Sequence, residues 1–133
     1  MDAAAIQFVR QRAGKRCEYC CLPQEFSGLR FHIEHIVARQ HGGSDESSNL
    51  ALACPECNLR KGTNLTSIDP ATGKVTSLFH PRQDRWNDHF AQLEGNIVGK
   101  TPVGRTTVSL LEMNGPDRLR LRQRLLRLGL LNE

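Results

Sequence analysis

The 133-residue sequence has no apolar stretch long enough to cross a membrane. A spanning helix needs roughly 18 or more apolar residues in succession, and no segment approaches that length. The segment 1–16 also has no apolar run of signal-peptide length, so the sequence favours a cytoplasmic location over secretion. Internal repeats and long low-complexity segments are absent too, and we expect one compact domain over residues 1–133.

Charge of one sign does not dominate the sequence either. Lys and Arg number 18 against 14 Asp and Glu, which gives a formal net charge of +4. Such a mild basic excess is compatible with a polyanionic partner, but many soluble proteins carry it, so it excludes little. A chain of this length buries only a modest apolar core, to which a bound metal would add useful stability.

Cysteine is the informative residue type that is present. Four of the five cysteines form two Cys-x-x-Cys pairs, Cys17/Cys20 and Cys54/Cys57. In a reducing compartment, four thiolates in two close pairs favour a tetrahedral structural Zn²⁺ over disulfides. A closed shell of four sulfurs leaves no open position on the metal, so we expect any chemistry to lie between the pairs. Cys21 is interpreted as a bystander, with replacement of Cys20 as the alternative.

The residues around the cysteine pairs predict a short series of elements. Apolar residues recur at helical spacing near the N-terminus, and the first segment between the pairs alternates like a strand. The predicted elements are a helix over 3–13, a strand over 29–36, a loop over 41–45, a strand over 50–53 and a helix over 55–61 that ends at Gly62. The order between the pairs is therefore strand, loop, strand, helix.

Beyond Gly62 the signals are weaker. They predict a turn over 69–74, a strand over 75–79, a strand or helical turn over 89–93, and a helix over 106–113. From 119 to 130, leucines alternate with arginines, which predicts a basic amphipathic helix. Leucines buried beneath a solvated arginine face are favoured there, and a DNA-binding stripe is the alternative.

The positions Glu34-His35, Asn49 and Cys57-Asn58-x-x-Lys61, with both cysteine pairs, resemble the HNH nuclease family. That family has an acidic residue or His before the catalytic His, a central Asn, and a final His or Asn. The resemblance covers residues 17–62. A later segment also looks like a tail found in one bacterial branch of the family; it is carried by Phe79-His80-Pro81-Arg82, Trp86, His89-Phe90, Gly104-Arg105 and Met113-Asn114.

The resemblance implies an α+β fold with a ββα-metal core, also called a His-Me finger. A zinc site of four cysteines would staple this core, with flanking helices and a C-terminal basic amphipathic helix around it. The core motif would occupy about 16–62 and a C-terminal extension about 63–133. The strand, loop, strand, helix order obtained from the residues themselves agrees with this fold.

The resemblance also implies an endonuclease that hydrolyses phosphodiester bonds in DNA. His35 would be the general base that takes a proton from water, as suits an imidazole. Glu34 and Asn58 would hold one Mg²⁺ or Mn²⁺ ion through oxygen atoms, the ligands that such hard ions prefer. The Asn at the last position replaces a nitrogen ligand by a carbonyl oxygen, which favours Mg²⁺ over a softer ion.

Other site residues receive supporting roles in the same comparison. Asn49 would brace the loop and orient His35 through its side-chain amide. Arg60 and Lys61 would contact backbone phosphates. Three further histidines are assigned to the framework, with substrate or metal contact as the alternative: His32, His80 and His89.

Glu34 and His35 raise a geometric difficulty, because neighbours on a regular strand face opposite sides although both must face the site. We expect the strand to end or bend between them. Glu34 is also one methylene longer than the Asp common in the family, which would move the ion or alter its identity.

Two other classes of function stay open. A non-catalytic zinc-finger module that binds DNA or RNA explains the cysteines and the charge, but gives no reason for Glu34-His35, Asn49 and Asn58. A structural or protein-interaction zinc domain is the third class. Monomer and homodimer are both open, and one catalytic constellation per chain means that double-strand cleavage needs two chains or two encounters.

Overall fold

The computed structural model describes residues 1–132. Within them the chain forms six α-helices and three two-stranded antiparallel sheets, which confirms the α+β class. The chain divides into two compact units. Unit 1 comprises Met1–Leu65 with His80–Asp84, and unit 2 comprises Thr66–Phe79 with the chain from Arg85 onward. None of the helices in the described part of the chain is long and apolar enough to cross a membrane.

Unit 1 contains the strand, loop, strand, helix order that the sequence predicts. Its elements are α1 (Ala3–Arg12), α2 (Gln24–Ser27), β1 (His32–His35), β2 (Leu50–Ala53) and α3 (Pro55–Lys61), with short 3-10 helices at Arg39–His41 and Ser47–Asn49. The first strand is shorter than the predicted 29–36. Leu29 lies in a turn after α2 instead, because Gly28 is left-handed and the Ser27 hydroxyl bonds the amide of Leu29.

Two arginines of the first helix bind backbone carbonyls at the strands, and its Val9 is buried. Arg10 donates from Nη2 to the carbonyl of Phe31 at 3.0 Å, and Arg12 donates from Nη2 to the carbonyl of Leu50 at 2.7 Å. The side chain of Asp2 caps the start of the helix. Two basic residues of α1 are therefore bound to backbone that borders β1 and β2.

The two strands of unit 1 pair antiparallel, with Glu34 opposite Ala51 and His35 opposite Leu50. All four residues of β2 are buried, and both β1 and α3 pack against this strand. The first turn of α3 is organised by Cys54, whose Sγ accepts from the amide of Cys57. The close of β2 and the start of α3 thus coincide with the second cysteine pair.

Unit 2 is built from two hairpins and three helices. Its elements are β3 (Thr66–Ile68), β4 (Val75–Ser77), α4 (Trp86–His89), β5 (Phe90–Leu93), β6 (Asn96–Gly99), α5 (Pro102–Leu111) and α6 (Pro116–Arg127). The strands β3 and β6 are not predicted from the sequence. The predicted helix over 106–113 begins earlier, because Thr101 caps it by accepting from the amide of Gly104 at 3.0 Å.

Helix α5 lies directly on neighbouring backbone within unit 2. A Cβ added to Gly104 would sit 2.0 Å from the carbonyl oxygen of His89, so only glycine permits this approach. The same helix is fastened to the hairpin of β3 and β4 by Arg105, which donates to both oxygens of the buried Asp69 at 3.1 and 2.9 Å. These hydrogen bonds lower the pKa of Asp69 to about 2.

The C-terminal helix α6 corrects one prediction. Its leucines were expected beneath a solvated arginine face, yet Arg122 is 0% exposed and Arg118 is 7% exposed. Arg122 donates to the carbonyls of Gly95 and Met113 at 2.7 and 2.8 Å, and Arg118 donates to that of Leu111 at 2.8 Å. Both guanidinium groups are buried because they satisfy carbonyls at the end of α5 and in nearby turns.

Candidate active site and zinc site

The four paired cysteines form one buried cluster in unit 1. The sulfur atoms of Cys17, Cys20, Cys54 and Cys57 all lie within 4.8 Å of one another, and none is in a disulfide. Sulfurs around a tetrahedral Zn²⁺ with bonds of about 2.3 Å lie about 3.8 Å apart, and the Cys20 and Cys54 sulfurs are 3.7 Å apart. Cys21 is outside the cluster. The arrangement fits a structural zinc ion with four thiolate ligands.

Backbone amides help to aim the thiolates. The amide of Cys20 donates to the sulfur of Cys17, and the amide of Cys57 donates to the sulfur of Cys54, each at 3.4 Å. Hydrogen bonds of this kind stabilise the deprotonated sulfur that a metal requires. A metal held here joins the turn at 17–21 to the start of α3.

His35 is the last residue of β1, and its side chain is 21% exposed. Its Nε2 lies 2.7 Å from Oδ1 of Asp45, and Arg39 donates from Nη2 to both oxygens of Asp45 at 2.8 and 2.9 Å. The hydrogen bonds from His35 and Arg39 lower the pKa of Asp45 below its ordinary value. The imidazole is thus reachable from solvent and held from one side by a carboxylate.

Asn49 braces the loop between the two strands. Its Oδ1 accepts from the amide of Val37 at 2.9 Å, while its Nδ2 donates to the carbonyls of Val37 and Ser44 at 3.0 and 2.8 Å. Gly43 completes the loop, since a Cβ there would lie 1.7 Å from the carbonyl oxygen of Val37. The described hydrogen bonds of the Asn49 side chain are to Val37 and Ser44, whereas the His35 imidazole is bonded by Asp45.

The sequence predicts no role for Asp45 beyond its place in a loop over 41–45. A carboxylate that follows the Gly42-Gly43 pair, ten residues after His35, was the available signal. Paired glycines allow the chain to turn back tightly, so a residue just beyond them returns towards the strand from which the loop left.

Glu34 lies on the buried side of β1. Its side chain is 4% exposed; one carboxylate oxygen accepts from the hydroxyl of Tyr19, and Oε2 lies 3.5 Å from Nζ of Lys61. Burial raises the pKa of Glu34 above its ordinary value, and the charge of Lys61 and the bond from Tyr19 offset only part of that rise. The strand continues through Glu34 and His35 and ends after His35, so the bend expected between the two residues is absent.

The two predicted ligands of a catalytic divalent ion do not form a ready site in this arrangement. Both carboxylate oxygens of Glu34 already have protein partners, and the ammonium of Lys61 occupies the place beside Oε2 where a cation would bind. Asn58 is half-buried in α3, and no polar contact described for residues 1–132 joins its side chain to Glu34. An ion at Glu34 would therefore have to displace the ammonium.

Lys61 differs from its predicted role. It is 2% exposed, and its Nζ donates to the carbonyl of Ile36 at 2.9 Å besides pairing with Glu34. A buried ammonium used in this way does not reach a phosphate backbone, which corrects the prediction of a DNA contact. Arg60, whose side chain is 38% exposed and pairs with Glu56, keeps an accessible guanidinium.

Replacing Lys61 by Met is expected to destabilise the protein by about 3–5 kcal/mol, because it leaves the buried Glu34 carboxylate without its cation. Chemical unfolding in urea measures this change. The double variant Lys61→Met with Glu34→Gln should recover part of the loss, and Lys15→Met, at an exposed position, should cost little. A cost below about 1 kcal/mol for Lys61→Met would contradict the role of this ammonium.

The three histidines assigned to the framework make no described contact with the His35 imidazole. His80 accepts at Nδ1 from the amides of Arg82 and Gln83 at 3.1 and 3.2 Å, and Nδ1 of His89 lies 2.6 Å from the Thr101 hydroxyl. His32 is exposed at the start of β1. His80 and His89 thus serve local framework contacts in their own units.

The segment His80–Asp84 is tied to the turn of the first cysteine pair. Arg82 forms an ion pair with Glu18, whose other oxygen accepts from the amide of Leu52 at 2.8 Å. Burial lowers the pKa of Arg82 to about 10. This part of the tail pattern therefore belongs to the packing of unit 1.

Part of unit 1 resembles a known protein family. Residues 17–64, about a third of the chain, match the family model described as HNH endonuclease. The resemblance predicted from Glu34-His35, Asn49 and Asn58 is thereby confirmed over this segment.

A curated relative is also similar to the chain. This is the Septu protein PtuB of Bacillus thuringiensis, 25% identical over 111 residues that cover 82% of the chain and 40% of that protein. The chain therefore spans less than half the length of this relative. No solved structure matches the chain.

Proposed function

We propose that this chain is a nuclease that hydrolyses phosphodiester bonds in DNA, with His35 as the general base. The observation that carries the proposal is the His35 imidazole, partly exposed at the end of β1 and held by Asp45, within the segment that matches the HNH endonuclease model. An imidazole gives up and takes protons near neutral pH, as the activation of water requires.

The reaction assigned to these residues is a displacement at phosphorus. His35 takes a proton from a water molecule, whose oxygen then bonds to the phosphorus of the scissile group. The bond from phosphorus to the 3′ oxygen breaks, and that oxygen takes a proton from solvent. Asn49 acts indirectly in this proposal, because its amide holds the loop from Val37 to Ser44 in place.

A divalent ion, Mg²⁺ or Mn²⁺, is part of the proposal as the expected cofactor, with Glu34 and Asn58 as its expected ligands. Such an ion supplies charge that offsets the negative phosphate. The ammonium of Lys61 pairs with Glu34, so an ion that binds Glu34 must displace this ammonium. The steps given to His35 and Asn49 do not depend on the position of the ion.

The expected polymer partner is DNA, with RNA as the alternative, since both offer a phosphate backbone. Arg60 is the predicted phosphate contact that remains accessible. A cytoplasmic location also remains part of the proposal.

Incubation of the zinc-loaded protein with supercoiled plasmid tests the proposal. We expect conversion of the supercoiled form to nicked or linear DNA in Mg²⁺ or Mn²⁺ and none in their absence. Single-stranded DNA and RNA are assayed in parallel to define the substrate.

The other two classes of function give different results in the same assay. Salt-dependent binding without cleavage in any ion would identify a zinc-finger binding module. Absence of binding even at low salt would identify an interaction domain and sink the nuclease proposal.

A further inference from the structure

We propose that Asp45 is a positioning residue for His35. Its carboxylate holds the His35 imidazole in the tautomer that is protonated at Nε2, so that Nδ1 is directed to the reacting water. Arg39 and the loop that carries Asp45 keep the carboxylate in place. This inference rests on the proposed function for its catalytic consequence, although the protonation state of the imidazole is measurable without any reaction.

The short contact between His35 and Asp45 determines which nitrogen carries the proton. Nε2 lies 2.7 Å from Oδ1 of Asp45. An ionised carboxylate only accepts hydrogen bonds, so Nε2 must be the donor. A neutral imidazole has one N–H group, and Nδ1 therefore carries the lone pair. The lowered pKa of Asp45 keeps this carboxylate ionised at neutral pH.

Two features hold Asp45 although its side chain is 48% exposed. Arg39 donates to both of its oxygens, which limits rotation of the carboxylate. The residue before it, Ser44, is fixed through its carbonyl by the amide of Asn49 at 2.8 Å. The loop thus transmits the bracing by Asn49 to the imidazole through Asp45.

The carboxylate also helps the reaction after it has oriented the ring. When His35 takes the proton from water it becomes a cation, and the adjacent negative charge of Asp45 stabilises that cation. An amide at position 45 could still accept from Nε2 but would not supply the charge. Orientation and charge can therefore be separated by comparing Asp45→Asn with Asp45→Ala.

The role of Asp45 is expected to be functional more than structural. Exposed ion pairs contribute little to stability, so removal of this one should leave the fold intact. Glu46, the next residue, is an exposed carboxylate with no side-chain contact described for it, and Glu46→Gln is the matched control.

Nitrogen NMR of the His35 ring in the zinc-loaded protein tests the inference directly. We expect the tautomer protonated at Nε2 in the wild type, in Asp45→Asn and in Glu46→Gln. In Asp45→Ala we expect loss of that preference. An unchanged His35 tautomer in Asp45→Ala would overturn the inference.

Cleavage kinetics give the second readout. We expect kcat to fall about 10- to 100-fold in Asp45→Ala and less in Asp45→Asn, with KM within about twofold of wild type. An unchanged kcat in Asp45→Ala would overturn the inference as well. If the wild type cleaves nothing, the proposed function fails, and the tautomer measurement alone decides whether Asp45 positions His35.

Discussion

Replacement of His35 by alanine is expected to reduce the rate of DNA cleavage by at least ~10²-fold and up to about 10⁴-fold. The variant removes the general base. The neighbouring carboxylate of Asp45 is not expected to replace it, because both of its oxygens are bound by Arg39. The measurement is the rate of plasmid nicking under conditions in which the wild type is active.

Fold and zinc content must be shown to survive in this variant. His35 lies at the end of β1 and is partly exposed, so its loss should change the thermal midpoint by only a few degrees. His41→Ala is the matched control, since His41 is exposed in the loop that follows β1. Retention of more than about a tenth of the activity in His35→Ala would contradict its role as the base.

The core of unit 1 was predictable because its determinants are local. Cysteine spacing, alternation and the Pro55 to Gly62 interval each depend on a few neighbouring residues, and β2 and α3 lie where they predict. The start of β1 was not predicted, since Leu29 continues the alternation but lies in the turn after Gly28.

The positions of several long charged side chains differ from those that the sequence predicts. The sequence predicts a phosphate contact for Lys61 and a solvated face for the arginines of α6, including Arg118 and Arg122, and a lone charge is costly to bury. Each instead meets backbone carbonyls brought from elsewhere in its own unit, such as those of Ile36 and Met113. The positions of these carbonyl acceptors depend on tertiary structure, so a local sequence pattern does not predict them.

The binding of basic side chains within each unit also affects how the net charge of +4 is interpreted. Several of the 18 Lys and Arg residues are bound to carbonyls or carboxylates within a unit; these are Arg10, Arg12, Lys61, Arg82, Arg105, Arg118 and Arg122. A net charge counted from the sequence therefore overstates the basic groups that are free to meet a polyanion. Arg39 and Arg60 also pair with carboxylates, but their side chains are 66% and 38% exposed, so they are better placed for that contact than the buried groups.

The second large effect is expected when Cys54, one of the four clustered cysteines that fit a zinc ion, is replaced by serine. Structural zinc contributes about 10–16 kcal/mol in small zinc-binding peptides, which equals or exceeds the whole stability of most domains. Cys54 also caps α3, but a serine hydroxyl can accept the same amide hydrogen bond, so the variant removes the ligand and leaves the helix cap available. We expect a zinc content well below one ion per chain and a fall of more than ~10 °C in the thermal midpoint.

Cys21→Ser is the control that separates the cluster from cysteine content in general. Cys21 directly follows Cys20 but lies outside the group of four, so this variant should keep one zinc ion per chain. Equal zinc loss in the two variants would contradict the assignment of the ligands. Zinc release from Cys54→Ser should also abolish cleavage, because β1, which carries His35, rests on a strand and a helix that meet at Cys54. The cluster would then act on the reaction only through the framework, since four thiolates leave no coordination position for substrate.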